Sequence, residues 1–277
     1  MTLSSIRDYC AAAVLAAALA GCAAHRPPQK LSVAAAADLQ FALEEAARDF
    51  RARQPQTAIA IVYGSSGNFY TQLLNGAPFD LFLSADSQYP DKLIDAGLAP
   101  RQSRFVYAVG RIAVWVPASS PLDLERLQIR ALEQDSVKHV AIANPQHAPY
   151  GRAAASALQS LGVYHRIAPK LVFGENIAQT LQFVQSGAAD AGIVALSLAL
   201  APAVRGQGRY WEIPLSAYPA MLQAGVILNR ARRSPAAQAF RAYLTGPRAR
   251  AIFERYGFSM PGVGQTPPSA RNPLAPS

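Results

Sequence analysis

Thiols are almost absent. The 277-residue chain has two cysteines, Cys10 and Cys22, so residues beyond 22 can form no disulfide and their stability has to come from a hydrophobic core. After Cys22 no segment reaches 18 consecutive apolar residues, which excludes a later membrane span. No G-x-x-x-x-G-K-[ST] occurs, so the chain is not expected to hydrolyse ATP itself. The four histidines, His25, His139, His147 and His165, show neither H-x-x-H nor H-E-x-x-H spacing, and no G-x-S-x-G nucleophile elbow is present. His147 lies close in sequence to Tyr150 and could activate a serine, but it reads as a surface-loop residue. Charge is sparse at 16% of residues against 51% hydrophobic, enough apolar material for one large domain or two modest ones. The net charge of +9 comes from scattered arginines, apart from Arg230 to Arg233 and Arg248 to Arg250. That pattern implies a solvated basic surface that steers small anions; no nucleic-acid partner is expected.

What is present begins with a short apolar run, Cys10 to Ala20, closed by Leu19-Ala20-Gly21-Cys22. It is too short to span a membrane and ends in small residues, as a secretory signal does. The four closing residues resemble the lipobox of bacterial lipoproteins, which implies cleavage before Cys22 and lipidation of its thiol. Ordinary signal-peptide cleavage nearby is the alternative. Residues 1–22 are thus a signal, residues 23–30 (AAHRPPQK) a tether, and residues 261–277, with five prolines, a disordered tail.

From residue 31 onward the periodicity alternates. It predicts strands at 31–36, 58–63, 81–84, 139–143, 170–173, 191–195 and 220–228, and extended stretches at 105–117 and 209–214. Helices are expected at 39–53, 68–75, 89–96, 122–134, 152–161, 177–186, 197–204, 235–245 and 247–256. Such alternation argues for α/β architecture with largely parallel sheets. One echo suggests two similar units: Asn75-Gly76-Ala77-Pro78-Phe79-Asp80 before LFLSAD, and Ser186-Gly187-Ala188-Ala189-Asp190 before AGIVALS. In each a glycine ends a helix and an aspartate precedes a strand. Residues 31–112 plus 221–260 would form lobe I and residues 113–220 lobe II, crossed by 105–117 and 220–228.

Four strand-to-helix junctions share one character: Ala36-Ala37-Asp38, Gly64-Ser65-Ser66-Gly67, Pro149-Tyr150-Gly151 and Gly174-Glu175-Asn176. Each lies at the carboxyl edge of a strand, where open α/β folds place ligands. Each exposes unpaired first-turn N–H groups and the positive end of a helix dipole. Should they converge, they would hold an anion with backbone donors rather than with lysine or arginine. The hydroxyls of Ser65 and Ser66 then have two readings, caps of their own helix or ligands of an oxyanion.

The combined set VAAAADL (33–39), YGSSGNF (63–69), NGAPFDLFLSAD (75–86), ANPQHAPYG (143–151), GENIAQTL (174–181) and FERYGF (253–258) resembles the periplasmic molybdate-binding proteins of ABC transporters. Order and spacing match along about residues 31–258. The resemblance implies a two-lobed periplasmic binding protein fold (type II) that closes on a tetrahedral dianion, molybdate or tungstate, with no cofactor and no enzymatic activity. It implies an ABC transporter permease as partner and a monomer on the periplasmic side of a membrane. Its ligand positions fall on Asp38, Ser66, Tyr150 and Ile177, the last through its backbone N–H. The family's tyrosine in the last strand falls on Ala195, and Tyr150 would supply the phenol instead. Asp38 departs from the family's serine. A carboxylate about 5 Å from a dianion would cost roughly 6 kcal/mol at an effective dielectric near 20. Asp38 is therefore expected to turn away and cap helix 39–53; the alternatives are that it binds protonated, or that the ligand is another oxyanion such as phosphate or sulfate. A serine-dependent hydrolase and an adhesive lipoprotein are the rival classes.

Overall fold

The computed structural model describes residues 29–260; the expected signal, the expected lipidation at Cys22 and the expected tail lie outside them, and of the expected tether only Gln29 and Lys30 are described, as the start of the first strand. The strands in chain order are β1 (Gln29–Ala36), β2 (Thr57–Gly64), β3 (Leu81–Ser84), β4 (Phe105–Gly110), β5 (Ile112–Pro117), β6 (Val140–Ala143), β7 (Leu171–Gly174), β8 (Ala191–Ala195), β9 (Gly208–Glu212) and β10 (Met221–Ile227). They form two five-stranded sheets, ordered β2-β1-β3-β10-β4 and β7-β6-β8-β5-β9. In the first, β1 runs parallel to β2 and β3, while β10 is antiparallel to β3 and β4. In the second, β6 runs parallel to β7 and β8, and β5 is antiparallel to β8 and β9. The architecture is α/β and two-lobed as expected, but the sheets are mixed instead of largely parallel, because the chain crosses between them on strands that run against their neighbours.

The expected extended stretch 105–117 is two strands in different sheets, parted at Arg111. The chain returns between Glu212 and Met221, and on that return Tyr218 Oη accepts the Ile112 N–H at 3.3 Å. The two crossings are thereby tied to each other.

Strand β1 is covered on both faces, and Val33, Ala34 and Ala35 are fully buried; this explains an apolar run in place of alternation. Helix α1 (Gln40–Arg53) turns Ala42, Leu43, Ala46, Ala47 and Phe50 inward at helical spacing. Phe50 packs edge-on to Phe240, ring centroids 5.0 Å apart, which brings the helix Pro235–Leu244 back to lobe I. Burial of such a ring contributes roughly 1.5–3 kcal/mol.

The echo between the lobes extends to hydrogen bonding. Gly76 and Gly187 end their helices at φ 82° and 78°, a left-handed conformation that only glycine adopts without strain. Asp80 then accepts the Ser32 N–H of neighbouring β1 at 2.8 Å. Asp190 accepts the Lys138 and His139 N–H groups just before β6 at 2.7 and 2.8 Å. In both lobes one carboxylate ties the strand it precedes to the central parallel strand.

Two expected helices are shorter than their periodicity implies. Residues 122–134 form a single turn, Leu124–Leu127, followed by a 3-10 run, Gln128–Glu133, because Gln128 takes a positive φ of 53°. Residues 197–204 yield only Leu196–Ala199; Pro202, which has no N–H to give, stops the helix there.

Candidate ligand-binding site

All four junctions converge. A cavity of about 10 Å³ lies between the lobes, lined by Asp38, Ser66, Tyr150 and Ile177 together with Ala85 and Asn176. Its volume is close to that of one water by this measure. Asp38 follows β1, Ser66 follows β2, Tyr150 follows β6 and Ile177 follows β7, so parallel strands from both sheets point their carboxyl ends at the same spot. Ala85, after β3, was not among the expected positions.

Helix α2 (Ser66–Leu74) has Ser65 as its N-cap, and neither serine caps by its side chain. Ser66 is buried, and its Oγ accepts the Ala85 N–H at 3.0 Å, which leaves its own hydrogen to donate. Ser65 reaches across the lobes instead. Its Oγ donates to the His147 carbonyl at 2.6 Å, and the Gly67 N–H donates to the same oxygen at 2.9 Å. His147 Nδ1 lies 3.1 Å from Ser65 Oγ, and since that hydroxyl's hydrogen is on the carbonyl, Nδ1 carries the ring hydrogen. His147, expected as a surface-loop residue, is thus half-buried in a clasp between the lobes.

Helix α3 (Pro149–Ser160) begins three residues before the expected start, with Pro149 at its first position. Tyr150 therefore sits in the first turn, 2% exposed. Helix α4 (Ile177–Gln185) is capped by Asn176, whose Oδ1 accepts the N–H groups of Ala178 and Gln179 at 3.0 and 3.1 Å. The Ile177 N–H of that turn has no carbonyl within the helix.

Asp38 corrects the capping expectation. The cap position of the 3-10 turn Ala37–Leu39 is Ala36, which makes no side-chain cap bond, and Asp38 lies inside the turn. Its carboxyl group is turned inward and 1% exposed. Oδ2 accepts Tyr150 Oη at 2.9 Å and Gln223 Nε2 at 2.6 Å, and the Gln223 amide also donates to Tyr150 Oη at 3.1 Å. A buried carboxylate needs strong donors, and Tyr150 and Gln223 supply them. Asp38 Oδ1 and Gln223 Oε1 are buried without a partner. Burial pushes the Asp38 pKa up to about 6, against the lowering effect of the Gln223 and Tyr150 hydrogen bonds. Burial, reinforced by the Asp38 charge, raises Tyr150 well above the usual phenol range, so its hydroxyl keeps its proton. Gly110 makes room for this network: a Cβ there would stand 2.5 Å from Tyr150 Oη.

A larger cleft of about 320 Å³ lies alongside, lined in part by Asp86, Arg152 and Met221. Its charged groups neutralise each other, since Arg152 bonds Asp86 at 2.5 Å. The small cavity, in contrast, is lined by Asp38, whose Oδ1 is buried without a partner, so the chemistry is assigned there.

The chain matches the family of bacterial extracellular solute-binding proteins over residues 31–259. It belongs to that family. The molybdate-binding protein ModA of Azotobacter vinelandii is 38% identical over 246 residues, which cover 89% of this chain and 95% of that protein. ModA of Rhodobacter capsulatus is 38% identical over 200 residues, 72% of this chain and 77% of its own length. Among solved structures, the periplasmic molybdate-binding protein of Azotobacter vinelandii superposes with a TM-score of 0.78 at 34% identity, covering 84% of this chain and 100% of that one.

The site of this solute-binding protein includes two residues that sequence reasoning missed. Gln223 is an unremarkable polar residue within a strand, and only its complete burial marks it. Ala85 contributes a backbone N–H that no side-chain pattern advertises. The relatives named above are binding proteins, and the Ser65–His147 pair is arranged as a clasp: the serine hydrogen points to a carbonyl, not to the imidazole. Among the described residues no helix is long and apolar enough to cross a membrane, and no group of three or more His, Cys, Asp or Glu could hold a metal ion.

Proposed function

We propose that this solute-binding protein captures a tetrahedral oxyanion, molybdate or tungstate, between its lobes and delivers it to an ABC transporter permease on the periplasmic side of a membrane. The observation that carries this reading is the convergence of four strand-to-helix junctions on one small cavity. First-turn N–H groups, the Ser66 hydroxyl and helix dipoles suit a small dianion, and the names of the similar proteins supply the anion. Asp38, Ser66, Tyr150 and Ile177 are its contacts in this reading, Ile177 by its backbone. Lobe I comprises residues 31–112 plus 221–260, and lobe II residues 113–220. Lipidation at Cys22 would anchor a monomer, more than one acyl chain being needed for firm attachment.

Calorimetry of the mature domain against molybdate, tungstate, sulfate and phosphate tests the assignment. One molybdate or tungstate per chain is expected, bound at least about tenfold more tightly than sulfate, a gap of about 1.4 kcal/mol. A folded protein that binds none of the four would overturn it. Phosphate is the second reading, favoured by the partnerless Asp38 Oδ1, which could accept a ligand's proton; preference for phosphate in the same titration would select it.

A further inference from the structure

Asp38 combines two facts that conflict at first sight. It lines a cavity built of anion-binding junctions, and it is itself a buried acid. Its Oδ2 is occupied by two donors, while Oδ1 has none. A dianion beside an ionised Asp38 would meet a repulsion of roughly 6 kcal/mol at about 5 Å and an effective dielectric near 20. A neutral carboxyl group reverses the sign of that contact, because an O–H on Oδ1 is a donor.

We propose that Asp38 is a proton-carrying contact, so that the site takes up a tetrahedral dianion together with one proton from solvent, held on Oδ1 and donated to a ligand oxygen. The inference rests on the oxyanion reading above and adds its stoichiometry in protons. The balance is simple: ionised Asp38, one solvent proton and the dianion give a neutral Asp38 hydrogen-bonded to the bound dianion. No neighbour supplies that proton or a compensating cation: Arg111, the cation next to Gly110, is paired with Glu212. Tyr150 already donates to Oδ2, and Tyr107, the other phenol whose titration Asp38 influences, donates to the Ser84 carbonyl at 2.9 Å. On α1, Glu44 is engaged by Tyr63 of β2 and Glu45 by Tyr256 and Arg255. Arg152 of α3 pairs with Asp86, and His147 is clasped to Ser65. Helices α2 and α4, the turn Leu196–Ala199 and strand β10 carry no charged residue. Burial already favours the neutral form of Asp38.

The test is calorimetry of molybdate binding at pH 6, 7 and 8, repeated in buffers of different ionisation enthalpy. Wild type should take up close to one proton per molybdate at pH 8, and its affinity should fall about fivefold from pH 6 to 7 and about tenfold from pH 7 to 8, roughly 50-fold in all. Asp38→Asn should bind with no proton uptake and a flat profile. Its amide carbonyl can accept from Tyr150 and Gln223 while its NH₂ replaces the carboxyl O–H, so at pH 8 it should bind more tightly than wild type. Molybdate binding by wild type with no proton exchange and a flat profile would overturn the proton-carrying role while leaving the oxyanion reading intact. Absence of binding by folded wild type at every pH would overturn both.

Discussion

Among the contacts that join the lobes around the cavity, two seams differ in how completely their polar atoms are paired. At the Ser65–His147 seam no buried side-chain polar atom lacks a partner: the His147 carbonyl accepts both Ser65 Oγ and the Gly67 N–H, and the imidazole Nδ1 reaches back to the same hydroxyl. At the Asp38–Tyr150–Gln223 seam three side chains share hydrogen bonds, yet two oxygens, Asp38 Oδ1 and Gln223 Oε1, have none. A satisfied seam holds lobes together. An unsatisfied buried seam costs about 1–3 kcal/mol for each group left without a partner, and such a cost persists in a fold when something else draws on those atoms.

The largest effect should come from removing the charge in the second seam. Burial raises the Asp38 pKa from 3.8 to about 6, so the folded chain holds this proton more tightly than the unfolded chain. Stability should therefore fall by about 3 kcal/mol as pH rises from about 4 through 6, and no further above that. Asp38→Asn abolishes this dependence. Urea denaturation should find the variant more stable at pH 7.5 by up to about 3 kcal/mol and level with wild type near pH 4. Equal curves at both pH values would mean that the seam does not hold a charge at neutral pH.

Ser66→Ala comes next and sharpens the contrast, because Ser66 serves both fold and cavity. With Ala85 N–H on its oxygen, the substitution strands a buried donor, at about 1–3 kcal/mol of stability. Loss of a hydrogen bond to a charged ligand, about 1.5–3 kcal/mol, should weaken molybdate binding roughly 10- to 150-fold. Thermal melts and titrations on the same preparation separate the two losses; unchanged affinity would remove Ser66 from the site.

The smallest effect should be Ser65→Ala, in the satisfied seam. The His147 carbonyl keeps its bond from Gly67, and the imidazole that loses the Ser65 hydroxyl is only half-buried, so about 1 kcal/mol is expected, read as a small drop in melting temperature. A loss as large as that of Ser66→Ala would erase the distinction between the seams.

Most of the fold was legible in the residues, because a period of 3.6 or 2 is a local property. Strands 81–84 and 191–195 fall where expected, and most helices start or stop within a residue or two. The failures were local conflicts that periodicity does not weigh, the positive φ of Gln128 and the proline at 202. The site was legible as four junctions but not as an arrangement. Asp38 meets its partners 112 and 185 positions along the chain, and nothing near residue 38 announces them. Local reasoning therefore assigned it to the nearest helix start. The same blindness hid His147, whose partner is 82 positions away.

The bond between Ile112 and Tyr218 has a mechanical consequence. Two independent linkers would let the lobes slide and twist as well as open. Tied together, the linkers favour bending as one joint, and parting them costs about 1 kcal/mol. Tyr218→Phe should then broaden the spread of an interlobe distance followed by a pair of spectroscopic labels far from the cavity.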